Sequence, residues 1–297
     1  MSNVDYSFVR YDAPVDEKVM TEVDQLLGGY GEHYPMTFGK DYKNRCTGMH
    51  NVGVLMFVAK HQGNIVAHAS VLYARNNPSV SALHNVFTSV DHRRKGLSTR
   101  LVKLVLETFD KEMDGKFETG YMVLGTGSPS AARIYSFHGF EHLAGGLDTP
   151  GGAKGYNPDD LGEWIMIRKS GPKKKTFDAK AYYTLGDDSG TSVVPCSLSH
   201  YTQLVLLFNA CEKEEKNMES LNIKDGIHAE GSLVKLYTTP VKYDIENDKT
   251  RNVFVCICNE KVVGIASWNP AKEIWDAYSP FKVAENCLLK FCENIEK

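Results

Sequence analysis

Residues 83–113 read LHNVFTSVDHRRKGLSTRLVKLVLETFDKEM, and the rest of the chain is arranged around them. From Leu83 to Val90, the apolar Leu83, Val86, Phe87 and Val90 are mixed with small polar residues, a pattern that predicts a buried strand. Arg93-Arg94-Lys95-Gly96-Leu97-Ser98 follows, a basic turn holding one glycine. Beyond it, Leu97, Leu101, Leu104, Val105 and Thr108 recur every three or four residues and predict one apolar face of a helix. The order is strand, basic glycine turn, helix.

Such an arrangement suits a phosphate for a physical reason. The first N–H groups of a helix have no partner inside it, and the helix dipole places partial positive charge there. A glycine lets the main chain approach an anion closely, and Arg93, Arg94 and Lys95 add full charges. The plainer alternative is a solvated basic turn. A nucleotide P-loop is excluded, because no Gly-Lys-(Ser/Thr) ending follows.

Outward from this stretch, the N-terminal side predicts a strand over Tyr6 to Tyr11. A helix opened by Pro14 is predicted next, carrying Val15, Val19, Val23, Leu26 and Leu27 and stopped by Gly28-Gly29. Val54 to Ala59 and Ile65 to Tyr73 predict a hairpin about Gln62-Gly63-Asn64. On the C-terminal side, Tyr121 to Leu124 is a short apolar strand. Ser128-Pro129 then caps and opens a helix that Gly139 closes. Residues 145–162 are glycine-rich and long enough to be a lid or a binding loop, and Glu163 to Lys169 resumes a strand.

Arg93-x-x-Gly96-x-Ser98 resembles the (Arg/Gln)-x-x-Gly-x-(Gly/Ala) turn of the GNAT superfamily of N-acetyltransferases, with Ser98 in place of the usual final small residue. The segment from Ser128 to Phe140, SPSAARIYSFHGF, resembles that family's later helix with its alanine, tyrosine and closing Gly-Phe. The resemblance covers residues 6–169. It implies an α/β (α+β) fold: a mixed, mostly antiparallel sheet with a splayed central strand pair, flanked by helices. It also implies acetyl-CoA as cofactor. Val86, Phe87 and Thr88 would meet its pantetheine arm through main-chain groups. Arg93, Arg94, Lys95, Gly96, Leu97, Ser98 and Thr99 would hold its pyrophosphate.

Within the resemblance, Tyr135 matches the tyrosine that protonates the departing thiolate; the alternative is a helix tyrosine packed on Ala131. Ser128 would touch the pantetheine arm or simply cap its helix. The strand glutamate that some relatives use as base is Ala82 here, a departure from the pattern. His84 lies two residues on, hence on the same strand face, and an ordinary imidazole pKa of about 6.5 suits taking a proton from an ammonium through water. A buried, hydrogen-bonded histidine is the alternative. Glu32, His33 and Tyr34 fall where related enzymes line the acceptor side, and exposed loop residues are the other reading.

Composition bounds the rest. The 297 residues are 42% hydrophobic and 24% charged, with formal charge −3 at pH 7, so a folded core is expected and nucleic acid is not an expected partner. Seven cysteines include Cys256-Ile257-Cys258 in an apolar run, where buried thiols are expected rather than metal ligands, and no metal site is expected. The start, MSNVDYSFVRYD, lacks a basic region followed by an apolar one, and no apolar run reaches about 18 residues. A cytoplasmic protein that meets no membrane is expected. Residues 1–170 would be the acetyltransferase domain, 171–176 a linker, and 177–297 a smaller α/β domain. FVCICNEKVVGIASWNP in the last resembles a GNAT middle hairpin, so this part would be a partial, non-catalytic relative of the first. The expected activity is acetyl transfer to a primary amine of a small molecule by direct attack. The alternatives are a non-catalytic acyl-CoA sensor and a protein-amine acetyltransferase.

Overall fold

The computed structural model describes residues 5–31, 46–48, 51–117, 120–126, 128–144, 164–170, 177–183, 190–200, 202–204, 206–207, 210, 253–269 and 274–295. They fall in two compact units, Met1–Thr176 and Phe177–Lys297. Glu32, His33, Tyr34 and the stretches 145–162 and 171–176 lie outside the described residues.

The first unit is a seven-stranded sheet flanked by helices. Its elements in chain order are β1 (Ser7–Asp12), α1 (Glu17–Gly31), β2 (Val52–His61), β3 (Asn64–Ala74), β4 (Val80–Thr88), α2 (Leu97–Met113), β5 (Gly120–Thr126), α3 (Pro129–Phe137), β6 (Glu141–Ala144) and β7 (Trp164–Ser170). The spatial order is β1-β2-β3-β4-β5-β7-β6. Every pairing is antiparallel except β4 with β5, which is parallel. The predicted hairpin forms between β2 and β3, with Gln62 and Gly63 both at positive φ (50° and 85°), the primed turn that matches strand twist.

The core lies between the sheet and α2. Leu97, Leu101, Val102, Val105, Leu106, Phe109 and Met113 are buried there against Leu55, Phe57, Leu83, Met122 and Leu124. Full burial of each large aliphatic or aromatic side chain is worth about 2 kcal/mol. β2 is buried on both faces from Val52 to Ala59, and α1, with Met20, Val23 and Leu27 inside, packs on β3 and β4 apart from the α2 cluster. A bidentate ion pair, Arg168 of β7 to Asp110 of α2 at 3.1 and 2.5 Å, fastens the far strands to the helix. The same arginine donates from Nε to the carbonyl of His138, just past α3.

Three local expectations need correction. α1 begins at Glu17 rather than at Pro14, with Asp16 Oδ1 accepting from Lys18 N–H, and it runs through Gly28-Gly29 to Gly31. A helix glycine costs about 1 kcal/mol, which tertiary packing outweighs. The central strand starts earlier and ends earlier than the sequence pattern implies. Val80 to Ala82 belong to it, whereas Val90 sits in a 3-10 turn and is 70% exposed.

The second unit is a four-stranded, wholly antiparallel sheet in the order β11-β10-β9-β8. Its strands are β8 (Thr191–Pro195), β9 (Val253–Cys258), β10 (Lys261–Asn269) and β11 (Ile274–Tyr278), and α4 (Lys282–Ile295) covers it. Gly264 permits that packing, since a Cβ there would come within 2.9 Å of Leu288 Cδ1. Residues 202–204, 206–207 and 210 are helical and Leu198–His200 forms a 3-10 turn. The described cysteines are free thiols, and burial pushes the Cys256 thiol up to about 12. Among the described residues no helix is long and apolar enough to cross a membrane.

Candidate functional site

The sheet of the first unit opens in the middle. β4 and β5 pair only at Val80–Tyr121, Ser81–Met122 and Ala82–Val123. β4 continues along β3 to Thr88, and β5 continues along β7 to Thr126, so each strand is held on its outer side and free on its inner side. Both strands therefore keep unused main-chain donors and acceptors facing a gap. Such groups are costly to leave without partners, and an extended ligand can supply them.

β4 carries a bulge at this gap. His84 pairs with Ser70 and Phe87 with His68, so Asn85 and Val86 together oppose Ala69 alone. Asn85 takes φ 51° to make the extra step. The direction of the groups beyond it follows from the ladder. Ser89 N–H donates to Val66 carbonyl at 2.9 Å, so Ser89 and Phe87 turn their main-chain groups toward β3. Val86 and Thr88 turn theirs to the open side.

The basic turn sits at the end of this edge. Arg93 Nε donates to the carbonyl of Thr88 at 3.2 Å, and its guanidinium lies 5.8 Å from the Phe87 ring centroid. The hydroxyls of Thr88 and Ser98 are 2.8 Å apart and join the strand end to the first turn of α2. Lys95 Nζ donates to Asp91 carbonyl at 3.0 Å. Tyr6 hydroxyl lies 2.9 Å from His92 Nδ1 and ties the turn back to β1. Arg94 and Gly96 are both left-handed, at φ 61° and 74°. The missing Cβ of Gly96 would meet nothing within 4 Å, so the glycine is needed for its backbone angle and the space above it is open. No side chain caps α2, whose N-cap is Gly96. An uncapped helix start beside the exposed Arg93, Arg94 and Lys95 fits the diphosphate of a coenzyme A.

The remaining predicted residues fall around the gap. His84 is half-buried on β4, two positions past the last β4–β5 pair and on the same face as Ala82. That face is turned away from α2, because the alternate residue Leu83 is in the α2 core. Tyr135 is 6% exposed and packs on the α2 side, edge-on to Phe140 at 6.1 Å. The two thus lie on opposite faces of the sheet. Ser128 caps α3, its Oγ accepting from Ala131 N–H at 3.4 Å. Among the described residues no group of three or more His, Cys, Asp or Glu side chains is placed to hold a metal ion.

One residue at the bulge escaped sequence reasoning. His68, fully buried in β3, lies 2.6 Å by its Nδ1 from the carbonyl of Asn85. Burial pushes its pKa down to about 4, so the ring is neutral near pH 7, and it must carry its proton on Nδ1 to donate to a carbonyl. Two positions along, Ser70 Oγ donates to the carbonyl of His84 at 3.1 Å. The available signal was a lone histidine inside the apolar run IVAHASVLYA.

Residues 21–140 match the sequence profile of the acetyltransferase (GNAT) family. No curated protein matches the chain in sequence. Among solved structures, a GNAT-family acetyltransferase from Staphylococcus aureus is 20% identical, with 56% of this chain and 100% of that one covered at a TM-score of 0.41. The ribosomal-protein-S18-alanine N-acetyltransferase from Escherichia coli is 15% identical over 57% of this chain and 99% of its own, at 0.39. An acyl-CoA N-acyltransferase from Pseudomonas aeruginosa is 14% identical over 55% and 99%, at 0.40. The profile spans the basic turn, the diverging strands and the helix of Tyr135, and stops short of the second unit: residues 21–140 of this chain form a GNAT acetyltransferase domain.

Proposed function

We propose that the chain is an acetyl-CoA-dependent N-acetyltransferase that transfers the acetyl group to a primary amine of a small molecule. The observation that carries this reading is the pairing of β4 and β5 for three residues only, with the main-chain groups of Val86 and Thr88 turned to the resulting gap beside the Arg93–Gly96 turn. Acetyl-CoA would supply an acetyl group activated as a thioester.

The chain's own residues do the rest. Arg93, Arg94 and Lys95, with the main-chain N–H groups of Gly96, Leu97, Ser98 and Thr99, bind the diphosphate. Val86 and Thr88 offer their main-chain groups to the pantetheine arm, with Ser128 at the head of α3 beside it; Phe87, expected to share in this, turns its main-chain groups to β3 instead. Val86 N–H polarises the reacting carbonyl as a fixed dipole. His84 takes the proton of the incoming ammonium through a water, and Tyr135 gives one to the departing sulfur from the opposite face. The gap holds both reactants, so attack is direct. Glu32, His33 and Tyr34 would recognise the amine. The second unit, with no basic glycine turn in its sequence, is a partial, non-catalytic relative of the first, and the free thiols suit a reducing cytoplasm.

Release of free CoA thiol from acetyl-CoA, measured across small amines and amine-bearing peptides, tests the reading. Turnover with small amines is expected. Turnover with peptides alone would move the acceptor to proteins, and release with no acceptor dependence would remove the transferase reading.

A further inference from the structure

We infer that His68 is a positioning residue that aims the main-chain N–H of Val86 into the gap between β4 and β5. The inference rests on the reading of that N–H as the donor to the thioester carbonyl. Its physical basis is one peptide bond. The amide linking Asn85 to Val86 is planar and trans, so the Asn85 carbonyl and the Val86 N–H point in opposite directions. Whatever holds the carbonyl fixes the N–H. The imidazole of His68 holds it from the β3 side at 2.6 Å.

The bulge makes this support necessary. In a regular ladder the neighbouring strand's own main chain would fix each peptide. Here two residues of β4 face one of β3, and Asn85 sits at φ 51°, where a non-glycine residue is seldom found. The ladder cannot orient this peptide, and a side chain does so instead. Ser70 performs the same service one peptide earlier, donating to the His84 carbonyl at 3.1 Å. His68 and Ser70 are both buried and both on β3, so the support is built on a rigid strand. With its pKa near 4 the ring stays neutral across the physiological range, and the Asn85 carbonyl beside Nδ1 selects the tautomer that donates to it.

The test uses the full chain, His68→Asn and His68→Leu. Asparagine keeps an N–H near the place of Nδ1, and leucine has no donor. Each protein binds acetyl-CoA carrying a carbon-13 thioester carbonyl, and isotope-edited infrared difference spectra give the carbonyl stretch. In the wild type the band moves to lower frequency on binding. His68→Asn is expected to keep most of that shift and His68→Leu to lose it, while calorimetry finds the affinity for CoA without its acetyl group unchanged in both. An unchanged band in His68→Leu overturns the inference while leaving acetyl-CoA binding in place. A wild type that binds no acetyl-CoA removes the functional reading and the inference with it. Should the leucine variant not fold, nitrogen-15 spectra of the wild type decide. They are expected to show the Nδ1–H tautomer of His68; the Nε2–H tautomer overturns the inference.

Discussion

A bulge in β4 of the first unit and one in β10 of the second are treated in opposite ways. In β10 of the second unit the register slips between Val262 and Gly264. There the freed groups are taken up from within: Val262 N–H donates to Gln203 Oε1 at 2.7 Å, and the Val263 carbonyl accepts from Ser279 Oγ at 2.6 Å. In β4 of the first unit, His68 and Ser70 fasten the carbonyls on one side of the bulge, and the main-chain groups on the other side face the gap to β5. The same backbone irregularity thus closes one sheet and opens another. An unused main-chain group is the resource a binding site needs, and the side chains next to the bulge decide whether any is left.

That contrast can be broken first at the phosphate turn, where the largest effect is expected. Arg93→Ala with Arg94→Ala removes two charge-assisted contacts of about 2 kcal/mol each, or about a thousandfold in CoA affinity at low ionic strength. Calorimetry reads it directly, and the residual binding should depend less on salt. Unchanged affinity would place the phosphates elsewhere.

Acid should distinguish the two bulges next. His68 has a folded-state pKa near 4, below its unfolded value of about 6.5. Between these values the unfolded chain binds the extra proton, so stability rises with pH across that window and is lost as pH falls through it. The loss from this group amounts to about 3 kcal/mol between pH 6.5 and 4. Chemical denaturation across that range, followed by fluorescence, should show His68→Asn with a correspondingly flatter profile. Equal slopes in the two proteins would mean that His68 titrates normally.

At the reacting end, Tyr135→Phe removes only a hydroxyl. It should lower kcat by about 10- to 100-fold with CoA affinity little changed. A variant as fast as the wild type would leave Tyr135 a packing residue against Phe140. The smallest effect is expected at Asp110→Ala, which frees Arg168 from a partly exposed pair and should cost about 1 kcal/mol of stability, without altering the gap. A change in CoA affinity there would show that β5 and β7 are less independent of α2 than their pairing suggests.

Much of this was legible in the residues. The helix after the basic turn, the cap at Ser128 and the turn at Gln62-Gly63 are local matters of period and side-chain type, and the structure has them where the pattern placed them. Other features were set by distant partners. The primed turn at Asn259-Glu260 puts a glutamate at φ 63°, which no glycine announces. Val90 looked like strand because it is apolar, yet the strand ends at Thr88, where the Ser98 hydroxyl and the Arg93 side chain take hold. The bulge left a faint trace: Leu83 and Val86 are three apart, which breaks the two-residue alternation, and both pack on the α2 side. His68 left less, since only the register between β3 and β4 brings it to the Asn85 carbonyl.

The most direct measurement is a calorimetric titration of the full chain with acetyl-CoA, repeated on Arg93→Ala/Arg94→Ala. If the open bulge makes the site and the closed one does not, the wild type binds one acetyl-CoA per chain and the double variant loses it. Two per chain, or one that survives loss of both arginines, would contradict the account.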